Sequence, residues 1–399
     1  MNERLELLQA YPFERMNALK QGVSGNAAFP HVALSIGEPR HPPPAEIVQL
    51  LTDPAALTGD LGVYPATRGS DELRDSIAHW LVRRFSASVR PQDQILPVAG
   101  TREALFSFAQ AVLTGRQDSL CLLPNPFYQI YEGAALLAGA TPYFLNTTRE
   151  NEYLPDYRQL PESVWQRCEL LFVCSPGNPS GRVLPREDIE WLLQQAQRYD
   201  FVIAADECYS EIYPDEDQPP VGFLEVAAAM GLDGYDKLVV FHSLSKRSNL
   251  PGLRSGFVAG DAAILAPYFQ YRTYEGCALP AQVQRASVAA WADESHVIAN
   301  RAAYREKFAA VTPILDAAFE IEAPEGGFYH WIRIGEDDQA FALELFRATN
   351  ITVLPGSFIS RECQGLNPGR GHIRVAWVAD LHSSIEAARR LADWAAQAT

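Results

Sequence analysis

The sequence lacks the signatures of several protein classes. Its six cysteines form no C-x-x-C pair, and its eight histidines form no H-x-x-x-H pair or His/Cys cluster, which argues against a metal site. Several cysteines fall inside apolar runs, so they read as reduced core residues of a reducing compartment rather than a disulfide framework. No run approaches the roughly 20 apolar residues that span a bilayer. The first residues, Met1-Asn2-Glu3-Arg4, are charged and mixed in sign, unlike a secretory leader, which leaves the cytoplasm as the default location. Basic charge is also scarce: 33 Lys and Arg stand against 49 Asp and Glu, a formal net charge of -16. That balance speaks against nucleic acid or an anionic membrane as partner. It leaves small anions open, because those are captured by local groups of Arg, Lys and backbone N–H.

What is present is the composition of a soluble globular protein, 47% hydrophobic and 21% charged. A chain of 399 residues exceeds the size at which one core keeps growing, so two domains are expected. Short apolar runs alternate with helical patterns from about residue 95. Residues 101–115 read as a helix with Thr101 as N-cap and Gly115 as C-cap. Strands are expected at 119–123, 170–174, 201–205 and 238–241, with helices at 128–139 and 186–199. Continuous apolar strands alternating with helices indicate an α/β fold whose parallel sheet is covered on both faces. Ligands in such folds bind at the carboxyl ends of the strands. After Pro280 a long helical stretch, 281–317, leads to strands at 327–334, 352–354 and 372–377 and helices at 339–349 and 381–397. That pattern suggests a smaller α+β domain. The division expected is an N-terminal segment, 1–45, packed with the small domain, then a large domain, 46–285, then the small domain, 286–399.

The most informative stretch runs from Ser243 to Gly256 and follows an apolar strand. Ser243, Ser245 and Arg254 could together grip a phosphate, two hydroxyls and a guanidinium fork being suited to a dianion. Lys246 between them could form an imine with a carbonyl carbon. Spacing alone also allows a solvated basic loop. Gly100-Thr101-Arg102 opens a helix, whose N-terminal N–H groups and dipole can seat a phosphate. Arg374 is a charge inside an apolar strand, so it requires an anionic partner, either a ligand or a structural salt bridge. Asp206 and Tyr209 end another strand, where a helix cap with a packing tyrosine is the simpler reading. The segment 175–181 is by composition a turn.

Taken together, S-x-S-K-x-x-x-x-x-G-x-R-x-G at 243–256, D-E-C-Y at 206–209 and N-P-S-G at 178–181 resemble the class I/II aminotransferases of fold type I. The resemblance spans nearly the whole chain. It implies pyridoxal 5'-phosphate as cofactor, covalently held by Lys246, with Ser243, Ser245, Arg254, Gly100, Thr101 and Arg102 around its phosphate. It implies that Asp206 pairs with the ring nitrogen, that Asn178 and Tyr209 bond the ring oxygen, and that Tyr128 (with Phe127 as rival) stacks on the ring. Arg374 would then hold the substrate α-carboxylate, Gly37 would lie beside the substrate, and Tyr64 would reach the phosphate of a neighbouring subunit in a homodimer. No metal is implied.

Within that family, the segments 11–15, 37–42, 125–134 and 245–249 are most similar to succinyldiaminopimelate transaminases. This implies N-succinyl-LL-2,6-diaminopimelate and 2-oxoglutarate as substrates, in diaminopimelate and lysine biosynthesis. Arg272, in its own site or acting across the dimer, or else Arg247, is then expected to bind a distal carboxylate. Arg40, His41 and the prolines 42–44 depart from the Asp and Phe usual in aspartate-type members. Aspartate, aromatic amino acids or kynurenine are the alternative substrates. A carbon–sulfur lyase and a non-catalytic cofactor-binding regulator are the remaining alternatives.

Overall fold

A computed structural model describes residues 1–398. Its centre is a seven-stranded sheet in the order Ile95–Val98, Gly256–Gly260, Leu238–Ser243, Val202–Asp206, Cys168–Cys174, Leu120–Asn125, Thr141–Asn146. Gly256–Gly260 runs antiparallel to both neighbours, and the remaining pairs are parallel. The strands read as unbroken apolar runs because each face of the sheet has its own core. Ile203, Ala205, Leu238 and Val240 pack into one. Val202, Ala204, Val239 and Phe241, one residue out of step, pack into the other. Each such burial contributes roughly 1.5–3 kcal/mol for a Val, Leu, Ile or Phe side chain. The layer is therefore rigid, and its strand ends are fixed platforms.

A third core surrounds the antiparallel sheet Leu354–Pro355, His372–Ala376, Tyr329–Arg333. The N-terminal segment joins it: Met16, Val32 and Leu34 are buried there, and Val32–Ala33 pairs in parallel with Ile351–Thr352. The first residues do not follow, since Arg4 bonds the carbonyl of Leu137 on the large sheet's side. The boundary expected at 285/286 falls inside helix Ala281–Ala292, whose Ala286, Ala290 and Trp291 belong to the large core. The expected 281–317 helix breaks at Asp293 and Glu294, and the chain crosses between cores on helix Ser295–Asp316. The 101–115 helix begins at Thr101 but is capped by Gly100 and ends at Val112. Gly100 takes φ +87°, a conformation open to glycine, so the turn lies one residue earlier than the hydroxyl cap implied.

Candidate active site

A cavity of about 460 Å³ opens at the carboxyl ends of the large sheet, between it and the small domain. Lys246 sits in the single helical turn Leu244–Arg247 that immediately follows strand Leu238–Ser243. Ser243 caps that turn by accepting from the Ser245 N–H (3.1 Å), and its hydroxyl donates to Ser245 Oγ (2.9 Å). The Lys246 ammonium donates to the Gly37 carbonyl at 2.5 Å and lies 5.3 Å from the Phe328 ring centroid. Burial pushes the pKa of this amine down to about 8, and the Arg374 and Arg254 charges act in the same direction. An amine so placed is readily available as a neutral nucleophile or base.

One end of the cavity is rich in donors. Thr101, Ser243, Ser245 and Arg254 line it, and the N-terminus of helix Thr101–Val112 points its free N–H groups there. Gly100 does not line the cavity itself, but a Cβ on it would stand 2.2 Å from Arg254 Nη2. Glycine is what lets the guanidinium close against the loop. Arg254 donates to the Pro251 carbonyl (2.9 Å) and forms no ion pair among the described residues. This end suits a phosphate dianion.

The other end is acidic. Asp206, only 5% exposed, accepts from Tyr131 Oη (2.6 Å) and from the Cys208 N–H (3.2 Å) and has no ion-pair partner among the described residues. Burial raises its pKa, and the two hydrogen bonds oppose that rise. A protonated ring nitrogen would supply the missing positive charge. Tyr131 went unread in the sequence. Its ring stacks on Phe172 (4.6 Å, 14°), which looks like ordinary core packing until the hydroxyl is seen to reach Asp206.

Between these ends, Tyr209 and Tyr329 share a hydrogen bond between their hydroxyls (2.9 Å). Tyr329 was also missed, being one aromatic in a strand of aromatics. Tyr128 lines the cavity and accepts from Arg102 Nε (2.7 Å), whereas its rival Phe127 is buried against Phe144, away from the cavity. Arg374 is 5% exposed and bonded only to neutral acceptors, Asn178 Oδ1 (2.9 Å) and the Ser35 carbonyl (2.7 Å). Its Nε has no partner among the described residues. The structural salt bridge that spacing allowed is therefore not made among the described residues.

Two expectations are corrected. Arg272 lies outside the cavity, 1% exposed, with Nη1 and Nη2 on the two Glu103 oxygens (2.8 and 3.0 Å). Arg247 is equally committed, lying between Trp80 and Trp291 and bonded to Glu294 at 2.6 Å. Both side chains point from their helices into the core, where a cation persists only with a partner in place. Tyr64 is 98% exposed and faces no part of its own chain's cavity. No group of three His, Cys, Asp or Glu among the described residues is arranged to hold a metal.

The chain matches the family model for aminotransferase class I and II over residues 30–384. It belongs to that family. This transaminase is 32% identical to an LL-diaminopimelate aminotransferase of Syntrophobacter fumaroxidans, over 98% of this chain and 97% of that one. It is 33% identical to the Streptomyces rimosus 4-dedimethylamino-4-oxo-anhydrotetracycline transaminase OxyQ, over 90% and 92%. Among solved structures it resembles an aminotransferase from Neisseria meningitidis, with 47% identity, a TM-score of 0.93, and 99% and 100% of the two chains covered. It also resembles aminotransferase AspB from Helicobacter pylori, with 32% identity, a TM-score of 0.89, and 98% and 99% covered. The neighbours share the fold type I architecture of a large, mostly parallel sheet with a smaller α+β domain. The transaminase has no helix among its described residues long and apolar enough to cross a membrane.

Proposed function

We propose that this transaminase works with pyridoxal 5'-phosphate and moves the amino group between N-succinyl-LL-2,6-diaminopimelate and 2-oxoglutarate. The observation that carries the cofactor reading is the polarity of the cavity. A donor-rich end and a buried carboxylate, neither of them ion-paired among the described residues, lie with a reactive lysine at one edge of the large sheet. Ser243, Ser245, Arg254 and the N–H groups following Gly100 would hold the phosphate, Asp206 the ring nitrogen, Tyr209 and Asn178 the ring oxygen, and Tyr128 the ring face. Bound there, the cofactor supplies an electron-accepting ring that stabilises negative charge at the substrate α-carbon. Lys246 Nζ takes the α-proton and returns a proton on the other side of the transfer. Asp206, bonded by Tyr131 Oη and the Cys208 N–H, would face the ring nitrogen and hold its proton. Arg374 grips the α-carboxylate with a two-pronged fork, which fixes the α-hydrogen toward Lys246.

The substrate reading draws on the printed names of several relatives, which act on diaminopimelate itself, and on Arg102. Its guanidinium lines the cavity mouth, tied to Tyr128 Oη and Tyr11 Oη (3.3 Å), with no carboxylate partner among the described residues. Arg102 would thereby fill the distal-carboxylate role first expected of Arg272. We further propose a homodimer: Leu61, Val63 and Tyr64 form an exposed apolar stretch, and Tyr64 would reach the phosphate end of the second copy's cavity. The test is transamination with 2-oxoglutarate across succinylated diaminopimelate, free LL-diaminopimelate, aspartate, phenylalanine and kynurenine. Preference for the succinylated compound is expected. Preference for free LL-diaminopimelate overturns the succinyl group's part in recognition, and preference for a common amino acid overturns the diaminopimelate reading. Arg102→Met should raise KM about tenfold for a substrate with a distal carboxylate and leave KM for alanine nearly unchanged.

A further inference from the structure

Ile36, Gly37 and Glu38 form one wall of the cavity, and the segment runs on from there to His41. At its inner end Gly37 packs so closely that a Cβ would stand 1.9 Å from the Tyr329 hydroxyl, and its carbonyl accepts from Lys246. At its outer end stands His41, the residue that departs from the commoner family pattern and that the catalytic reading leaves without a task.

His41 is gripped by helix Ser295–Asp316, which presents Asn300, Tyr304 and Lys307 along one face. Asn300 Nδ2 donates to the backbone carbonyls of Lys246 (3.1 Å) and Arg247 (3.4 Å). Those two carbonyls orient the amide, so Asn300 Oδ1 must face His41 Nδ1, at 2.7 Å, as an acceptor. His41 Nδ1 therefore carries the proton, and Nε2 is left as an acceptor for the Lys307 ammonium, at 2.7 Å. Lys307 also donates to the Trp377 carbonyl of the small domain (3.2 Å). The His41 ring packs against Tyr304 (4.7 Å), and its carbonyl accepts from Asn249 Nδ2, three residues past Lys246. Burial and the neighbouring Lys307 both lower the His41 pKa, in keeping with a neutral ring.

We propose that His41 is a positioning residue. Through Asn300 and Lys307 it pins the 36–41 segment, whose first three residues wall the cavity, to the backbone of the reacting lysine and to the small domain. The wall then closes on substrate in a fixed register with Lys246. This role rests on the transaminase assignment, and it predicts loss of substrate grip rather than loss of chemistry.

The test combines steady-state kinetics with amide hydrogen exchange on the holoenzyme. His41→Ala should raise KM for glutamate about tenfold while kcat changes less than about twofold, and exchange at residues 36–41 should quicken at least tenfold. His41→Gln keeps one donor and one acceptor without a titratable ring and should restore both readouts most of the way. Lys307→Met removes only the outer bond and should give an intermediate effect, which covers the case in which His41→Ala does not fold. Unchanged exchange at 36–41 in both His41→Ala and Lys307→Met would overturn the proposal, as would a fall in kcat with KM constant. If glutamate is not a substrate, the exchange measurement still decides the pinning, and the proposed function fails separately.

Discussion

Arg374 and Arg272 are both at least 95% buried and differ in what holds them. Arg374 lies in an apolar strand, and Arg272 in a mixed stretch with Gln270, Thr273 and Glu275. Arg272 finds its carboxylate within the fold, Glu103, 169 positions away. Arg374 finds only an amide oxygen and a backbone carbonyl, and its Nε has no partner among the described residues. A buried guanidinium is expensive without a counter-charge. A partner inside the chain marks a structural cation, whereas a missing partner at a cavity wall marks a binding one.

The sharpest break of this comparison is Arg374→Ala. It should lower kcat/KM by about 10²–10³ for every amino-acid substrate, because a charged hydrogen-bonded pair with the α-carboxylate is worth roughly 2–5 kcal/mol. The melting temperature should hardly fall, since no ion pair of the fold is lost. A large loss of stability with kcat/KM intact would place Arg374 with Arg272.

The converse variant, Arg272→Met, should cost ~3 kcal/mol in urea denaturation, because Glu103 is left partly buried without its cation. Activity should stay within about threefold under conditions where the protein is folded. Adding Glu103→Gln should recover part of the stability. A selective rise in KM for substrates with distal carboxylates would instead restore the binding role first expected of Arg272.

Lys246 sharpens the contrast, because a lysine, unlike an arginine, can answer burial by shedding its proton. Its folded pKa of about 8 lies below its ordinary 10.5, so between those values the unfolded chain binds more protons. The burial cost is therefore fully present below about pH 8 and is relieved as pH rises toward 10.5. Apoenzyme carrying Lys246→Met should be more stable than the parent at pH 7 by ~3 kcal/mol, the size of that depression. Thermal denaturation from pH 7 to 10.5 should show the difference shrinking. A constant difference would mean that the amine is not depressed in the folded protein.

Much of the site was legible because its residues sit where one local pattern meets another. Lys246, Asp206 and Asn178 each follow an unbroken apolar run, and a strand buried on both faces can end only at an edge of the sheet. Tyr131 and Tyr329 were not legible, since an aromatic in an apolar run serves the core equally well. Their hydroxyl partners, Asp206 and Tyr209, are brought near only by folding. His41 stood out as an unusual residue, but Asn300, 259 positions away, could not be read as its partner. The helix starting at 101 is legible from its pattern, but its cap, Gly100, is not, because glycine's backbone freedom leaves no side-chain signal.

By itself the sequence determined the α/β architecture and the lysine loop with its two hydroxyls and its arginine. These depend on periodicity and on groups close together in the chain, where hydrophobic burial and turn chemistry act locally. Only the tertiary structure decided which buried cations were already neutralised. That depends on contacts between residues far apart in the chain, 47 positions for Arg247 and Glu294 and 169 for Arg272 and Glu103, and a charge says nothing in sequence about the distant partner that folding brings to it.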